Sequence, residues 1–189
     1  MLIADYRLDN PYELVNDNKW TIEKVFEMSK GITNDVDGDG KLTHNDMWGL
    51  SCADNAPHSF FFASGERITA HDSDGTLELV MNTPRAVEVI DKVMNICFSD
   101  SVLSYHTAGA GFDDVSKMFN ASQVLFVTFA LVDINALRNA EFEFGILPYP
   151  LYDENQREYN CLISTGLVAA LSVPYNCQNT EAVGVTVEA

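Results

Sequence analysis

The sequence predicts an α/β fold in which helices pack on a mixed sheet. Helix start signals alternate with short strand-like runs along most of the 189 residues, a pattern typical of a layered α/β lobe. No internal repeat, low-complexity tract or obvious linker interrupts this alternation. Hydrophobic residues make up 47% of the chain, which is enough to fill a core at this length. We therefore expect one large lobe rather than a sandwich or a helical bundle.

Three helices are predicted from their end residues and apolar stripes. They cover residues 22–30, 84–97 and 113–119. Thr21 and Thr83 can each accept a hydrogen bond from the first turn that follows, and Pro84 suits a first helical position. Gly31 ends the first helix, and two aspartates lie near the positive end of the third helix dipole.

The strands are predicted from short runs rich in β-branched and aromatic residues. These runs cover residues 59–63, 67–71, 76–80, 124–129, 142–147 and 163–172. Residues 72–75, with the sequence DSDG, have the composition of a hairpin connection, so a small β-meander is expected around them.

The charge balance argues against several partner classes. Twenty-eight acidic and eleven basic residues give a formal net charge of -17 and a pI near 4.3, which repels nucleic acid and anionic bilayers. No apolar run reaches the roughly 20 residues of a membrane-spanning helix, and the first residues lack the pattern of an export signal.

The four cysteines are too widely spaced for a CxxC pair, and we expect buried free thiols rather than the two disulfides that their number permits.

Residues 35–46, DVDGDGKLTHND, match the spacing of an EF-hand calcium loop. The candidate oxygen ligands are Asp35, Asp37, Asp39, the Lys41 carbonyl, Thr43 and Asp46. Gly40 occupies the sixth position, where the loop turns sharply. A polar turn is the alternative, and Mg²⁺ or Mn²⁺ remain open because the twelfth ligand is Asp rather than Glu. Calcium is favoured, in a structural role at a helix-to-strand corner, since Gly49 follows too soon for a long exiting helix.

No catalytic motif stands out. The four histidines lack HxxxH and HExxH spacing, and GxSxG, GxxxxGK[ST] and GxGxxG do not occur. Aromatic residues in or beside predicted loops favour a small-molecule cleft for a neutral solute such as a sugar, although core packing is the alternative for each ring. These residues are Trp48, Tyr105, Phe112, Tyr149, Tyr152 and Tyr159. A small-residue loop that includes Gly109 can approach a ligand closely, and a plain flexible connection is the favoured alternative.

Several segments together resemble one family. They are NPYELVNDNKWTIEKVFEMSK (residues 10–30), the acidic loop, MWGL, SGERI, MFNASQVLF and FGILPYPLYDENQREY (residues 144–159). In this order they resemble the sugar-binding type of extracellular solute-binding protein that serves ABC importers. The resemblance extends over nearly the whole chain.

The resemblance implies a type II periplasmic-binding-protein-like lobe, incomplete, and a function without catalysis. Such proteins have two α/β lobes that close around a solute and deliver it to a membrane permease. Residues 1–160 would form the second lobe, and residues 161–189 a strand and the start of a helix returning toward the first. Family members begin with a signal peptide, often that of a lipoprotein, and then a whole first lobe. A chain that resembles only the second lobe is therefore expected to be a fragment of a cell-surface protein, with membrane contact only through a lipid anchor outside it. A single lobe should bind solute weakly, because the missing lobe supplies part of the contacts.

The resemblance also gives candidate cleft residues: Trp48, Ser64, Gly65, Gly109, Tyr152 and Tyr159. Two other classes stay open. One is a calcium-dependent carbohydrate-active enzyme or its accessory module. The other is a cell-surface module of the dockerin kind, for which the expected second calcium loop is missing from the sequence.

Overall fold

The computed structural model describes residues 2–104, 111–138, 140–163 and 173–188. The helices are α1 Leu2–Asp5, α2 Pro11–Asn16, α3 Ile22–Lys30, α4 Ala56–Ala63, α5 Pro84–Cys97, α6 Phe112–Asn120 and α7 Thr180–Glu188. The strands are β1 Trp48–Cys52, β2 Thr69–His71, β3 Leu77–Leu79, β4 Val102–Ser104 and β5 Val124–Val127, and Leu131–Leu137 forms a 3-10 helix. Within these ranges, no helix combines the length and apolar character needed to cross a membrane.

A three-stranded parallel sheet, in the order β4-β1-β5, forms the centre of the lobe. Leu50 of β1 is opposite Val102 of β4 and Phe126 of β5. Strands β2 and β3 form a separate antiparallel hairpin, closed by residues 72–75. The prediction of a mixed sheet was therefore wrong for the described residues, because the antiparallel pair does not join the parallel strands. The α/β fold with helices on a sheet is confirmed.

The three predicted helices are confirmed, and the two predicted threonine caps form their hydrogen bonds. The Thr21 hydroxyl accepts a hydrogen bond from the Lys24 amide at 3.2 Å, and the Thr83 hydroxyl accepts one from the Ala86 amide at 3.0 Å. The third helix is one residue longer at each end than predicted. At its start, the Asp114 carboxylate accepts a hydrogen bond from the Gly111 amide at 3.1 Å.

Two strand predictions need correction, and a third falls almost entirely outside the described residues. Residues 59–63 lie in α4, where a short apolar run was mistaken for a strand although Pro57 marked a helix start. Residues 142–147 form no regular strand. Of the run at 163–172, only Ile163 lies within the described residues. The central strand β1 was missed because all five residues of WGLSC are buried, so it shows no alternation of apolar and polar positions.

Two apolar clusters pack against the sheet. Val102 belongs to the cluster with α3, α4 and α5, whereas its neighbour Leu103 belongs to the cluster with α6. Successive residues of a strand point to opposite faces, so the clusters lie on opposite sides of β4. Helix α3 lies so close to β1 that a Cβ added at Gly49 would come within 1.8 Å of the Ser29 carbonyl oxygen.

The cysteines divide into two groups. Cys52 and Cys97 are buried, as expected, and their sulfur atoms are 3.9 Å apart. Cys161 is exposed and Cys177 is partly exposed, so the expected burial was wrong for these two.

Candidate functional site

An aromatic cleft of about 730 Å³ lies beside β5. Most of its lining comes from three parts of the chain: the segment containing α1 and α2, strand β5, and residues 142–150. Its aromatic lining includes Tyr12, Trp20, Phe60, Phe126, Phe144 and Tyr149. A concave, mainly apolar surface of this size is typical of a small-molecule site.

The aromatic rings of the cleft are fixed by packing and by backbone hydrogen bonds. Trp20 donates its indole N–H to the Pro148 carbonyl at 3.0 Å and packs edge-on against Phe126, with ring centres 5.3 Å apart. Phe60 and Tyr149 form a second edge-on pair at 5.1 Å. The Leu151 amide donates to the Trp20 carbonyl at 2.9 Å, so residues 148–151 are held beside the start of α3.

Polar groups at the cleft can contact a neutral ligand. Burial raises the pKa of Tyr149 to about 12, although hydrogen bonding with Ser59 opposes the shift. The phenol therefore stays neutral at physiological pH and can both donate and accept a hydrogen bond. Thr128, at the carboxyl end of β5, and Asn10 add polar side chains to the lining. Aromatic faces with a few neutral polar groups are suited to a sugar, whose ring has apolar faces and a hydroxyl edge.

The cleft does not include the five described residues among the predicted ligand contacts: Trp48, Ser64, Gly65, Tyr152 and Tyr159. Gly109, the sixth, lies outside the described residues. Trp48 begins β1 just after the acidic loop, is only 4% exposed and donates its indole N–H to the Thr43 carbonyl at 2.7 Å. Ser64 is 2% exposed and donates its hydroxyl to the Phe60 carbonyl at 2.9 Å. In this structure both side chains are thus occupied by contacts within the lobe.

Two of the remaining candidates attach the segment after the cleft to the helices. The Tyr152 ring is approached by the Arg85 guanidinium at 5.0 Å and by the Lys92 ammonium at 3.9 Å. The Tyr159 hydroxyl donates to the Val15 carbonyl at 3.2 Å. Gly65 follows α4 with φ of 85°, in the left-handed region that favours glycine.

Sequence reasoning named only Tyr149 among the aromatic residues that line the cleft. The others come from segments far apart in the sequence, so no local spacing shows that they meet. A usable signal was nevertheless present: Tyr12, Trp20, Phe144 and Tyr149 all lie in the segments NPYELVNDNKW and FGILPYP that carried the family resemblance.

The acidic loop forms the predicted corner between α3 and β1. Carboxylate oxygens of Asp35, Asp37 and Asp39 lie within 4.8 Å of one another. The Asp35 carboxylate accepts hydrogen bonds from the Gly38 amide at 2.7 Å and the Gly40 amide at 2.8 Å. Both glycines have positive φ, of 74° and 81°, which the tight turn requires. Three convergent carboxylates on a glycine-rich turn fit a hard cation such as calcium.

The buried Asp46 carboxylate bonds to backbone amides of the acidic loop. Asp46 is fully buried and does not belong to the three-carboxylate group. Its carboxylate accepts hydrogen bonds from the Thr43 amide at 2.7 Å and the Val36 amide at 2.9 Å. These two bonds lower the pKa of Asp46 and keep it ionised despite its burial. The loop ends are joined by a pair of backbone hydrogen bonds between Asn34 and Met47.

The fold defines the chain as an α/β lobe with helices on a parallel sheet, similar to a periplasmic-binding-protein fold. In particular, it is similar to the maltose/maltodextrin-binding domain MalE from Bdellovibrio bacteriovorus, solved bound to maltotriose, with 21% sequence identity and a TM-score of 0.52. The similarity covers 70% of this chain and 33% of that one, so the chain spans about a third of its neighbour's length. No protein-family model matches the sequence, and a search of curated proteins gives no match.

Proposed function

We propose that this chain is the second lobe of a solute-binding protein of an ABC importer, and that its solute is a neutral sugar or oligosaccharide. The aromatic cleft beside β5 is the observation that carries the proposal. The similarity to part of a sugar-binding domain and the family resemblance of residues 10–30 and 144–159 support it. In this role the chain binds its solute without converting it and acts outside the cell, where a lipid anchor holds the whole protein and a permease receives the solute.

The cleft supplies the two kinds of contact that a sugar needs. The rings of Tyr12 and Phe144 stack on the apolar face of a pyranose, while the neutral Tyr149 hydroxyl bonds its hydroxyl edge. A single lobe leaves the other side of the sugar in water, so we expect a dissociation constant in the millimolar range, about -4 kcal/mol of binding free energy.

Titration with maltotriose, followed by tryptophan fluorescence and calorimetry, tests this proposal. Trp20 lies in the cleft and reports binding directly. We expect saturable binding that weakens at least about tenfold in Tyr12→Ala, the loss of roughly 1.4 kcal/mol of stacking. Phe98→Ala is the matched control. Phe98 is an aromatic residue of similar exposure, 45% against 53% for Tyr12, but it does not line the cleft.

A panel of neutral oligosaccharides extends the test beyond maltotriose. Equal weakening in the two variants, or no saturable binding by any sugar in the panel, would reject the cleft as a sugar site. Release of reducing sugar from the panel would instead favour the carbohydrate-active enzyme.

We also propose a structural calcium ion at the acidic corner. Asp35, Asp37 and Asp39 would supply carboxylate oxygens, and the pattern adds Thr43, the Lys41 carbonyl and Asp46. When bound, the ion relieves the repulsion among the carboxylates and stabilises the turn that leads into β1. Mg²⁺ or Mn²⁺ is the alternative cation.

Thermal unfolding with calcium and with a chelator tests the metal site. At a calcium concentration 100 times the dissociation constant, the ion adds about 2.7 kcal/mol, which is a rise in Tm of roughly 5–10 °C. Asp39→Ala should abolish the rise, whereas Asp91→Ala removes the same charge from the exposed side of α5 and should keep it. An identical Tm with calcium and with chelator would refute the site, and a rise with magnesium alone would correct its ion.

A further inference from the structure

Two buried cysteines face each other where β1 and α5 end. Cys52 is the last residue of β1 and is 2% exposed, and Cys97 is the last residue of α5 and is 1% exposed. Their sulfur atoms are 3.9 Å apart, across 45 positions of sequence. Only about 2 Å of approach separates this arrangement from the 2.05 Å of a disulfide bond.

The packing around the pair keeps these two sulfur atoms together. Cys97 continues the buried stripe of α5 that includes Val89 and Val93, and Cys52 ends the buried central strand. All four residues belong to the same apolar cluster. The two cysteines are therefore held by rigid elements on both sides rather than by a loop.

We propose that Cys52 and Cys97 form a structural disulfide when the chain folds in an oxidising environment. The oxidant is a disulfide, either a small molecule such as oxidised glutathione or a dithiol oxidase. One cysteine thiolate attacks that disulfide and releases one thiol, leaving a mixed disulfide. The second cysteine loses its proton, attacks the protein sulfur of the mixed disulfide and releases the second thiol. Two protein thiols and one external disulfide thus become one protein disulfide and two external thiols.

The bond forms during folding rather than afterwards. In the folded chain, hydrogen bonding to Cys97 and burial raise the pKa of Cys52, so little of the reactive thiolate is present. Burial also excludes the external disulfide from both sulfur atoms. A chain that folds reduced should therefore keep both thiols for long periods, and a chain that folds oxidised should resist reductants until it unfolds.

Refolding in glutathione redox buffer, compared with refolding in a phosphine reductant, tests the proposal. Cys161→Ser/Cys177→Ser leaves only the buried pair. We expect its thiol count in denaturant to fall from two to none after oxidative refolding, and non-reducing peptide mapping to join Cys52 to Cys97. Closing a loop of this length should raise Tm by on the order of 10 °C over the reduced form.

The unsubstituted chain provides a second arm that does not depend on how any variant folds. It should lose two of its four thiols, and the mapped link should again be between Cys52 and Cys97. Four thiols retained in a natively folded, oxidatively refolded chain would overturn the proposal. A link between Cys161 and Cys177 alone, or a Cys52 to Cys97 bond found only in non-native protein, would overturn it as well.

Discussion

Replacing Gly49 by alanine tests the contact between α3 and β1 directly. The new Cβ would lie 1.8 Å from the carbonyl oxygen of Ser29 and 2.4 Å from the Cα of Ser29. These are backbone atoms, so no side-chain rotation relieves the overlap. An ordinary carbon-to-oxygen contact is about 3.3 Å, and the helix would have to move away from the strand by about 1.5 Å.

That movement would loosen a packed part of the core. Val25 of α3 and Leu50 of β1 belong to the same apolar cluster, and a gap of even 1 Å forfeits up to about half of the dispersion energy of each contact. Overpacked cores lose about 1–3 kcal/mol, and we expect Gly49→Ala to reach at least the upper end of this range. The corresponding fall in Tm is roughly 6–12 °C.

Gly31→Ala is the matched control, because it makes the same chemical change at the end of the same helix. Gly31 has a helical φ of -75°, and a Cβ added there meets nothing within 4 Å. Its substitution should leave stability unchanged or raise it by about 0.4–1 kcal/mol. Thermal and urea unfolding of both variants provide the assay. If Gly49→Ala unfolds within about 1 °C of the unsubstituted chain, the close approach of α3 to β1 is refuted.

Two further predictions concern the cleft tyrosine and the sheet. Folding raises the pKa of Tyr149 from 10.0 to about 12, so its contribution to stability is complete below pH 10 and is lost as pH rises toward 12. Between pH 10 and pH 12 the free energy of unfolding of the unsubstituted chain should fall by roughly 3 kcal/mol more than that of the Tyr149→Phe variant. Urea unfolding at a series of pH values measures this, and parallel pH profiles of the two proteins would contradict it. Leu103→Ala should lower the free energy of unfolding by about 2–5 kcal/mol, because Leu103 is fully buried. Leu79 is 68% exposed, so Leu79→Ala should lower it by less than about 0.5 kcal/mol. Equal decreases in the two variants would contradict the assigned burial.

Helices could be predicted from the sequence where local chemistry determines their ends. Thr21 and Thr83 cap α3 and α5 with side-chain hydrogen bonds to residues three positions away, so the evidence lies within one turn of chain. Strand β1 could not be predicted in the same way. Its burial depends on other elements: β4 and β5, more than fifty positions away, cover both edges, and helices such as α3 and α4 pack on it.

The acidic corner and the cleft differ in the same way. The three convergent carboxylates belong to one turn, so their spacing alone predicted that they would meet. The cleft combines Tyr12, Phe126 and Phe144, which meet only because β5 and residues 142–150 fold back onto the first part of the chain. Trp48 comes just after the acidic corner, as expected of a residue beside a loop, and its burial at the start of the central strand depends on distant parts of the chain.

The backbone contacts of Leu151 attach the residues around Pro150 firmly to the lobe. Leu151 is fully buried, its amide bonds the Trp20 carbonyl, and its carbonyl accepts from the Ile22 amide, both at 2.9 Å. This double attachment joins the residues that follow Pro150 to the rigid body that contains α3. In the proposed two-lobe protein, a hinge in this part of the chain would therefore pivot on the amino-terminal side of Pro148, among residues 141–147, which form no regular helix or strand.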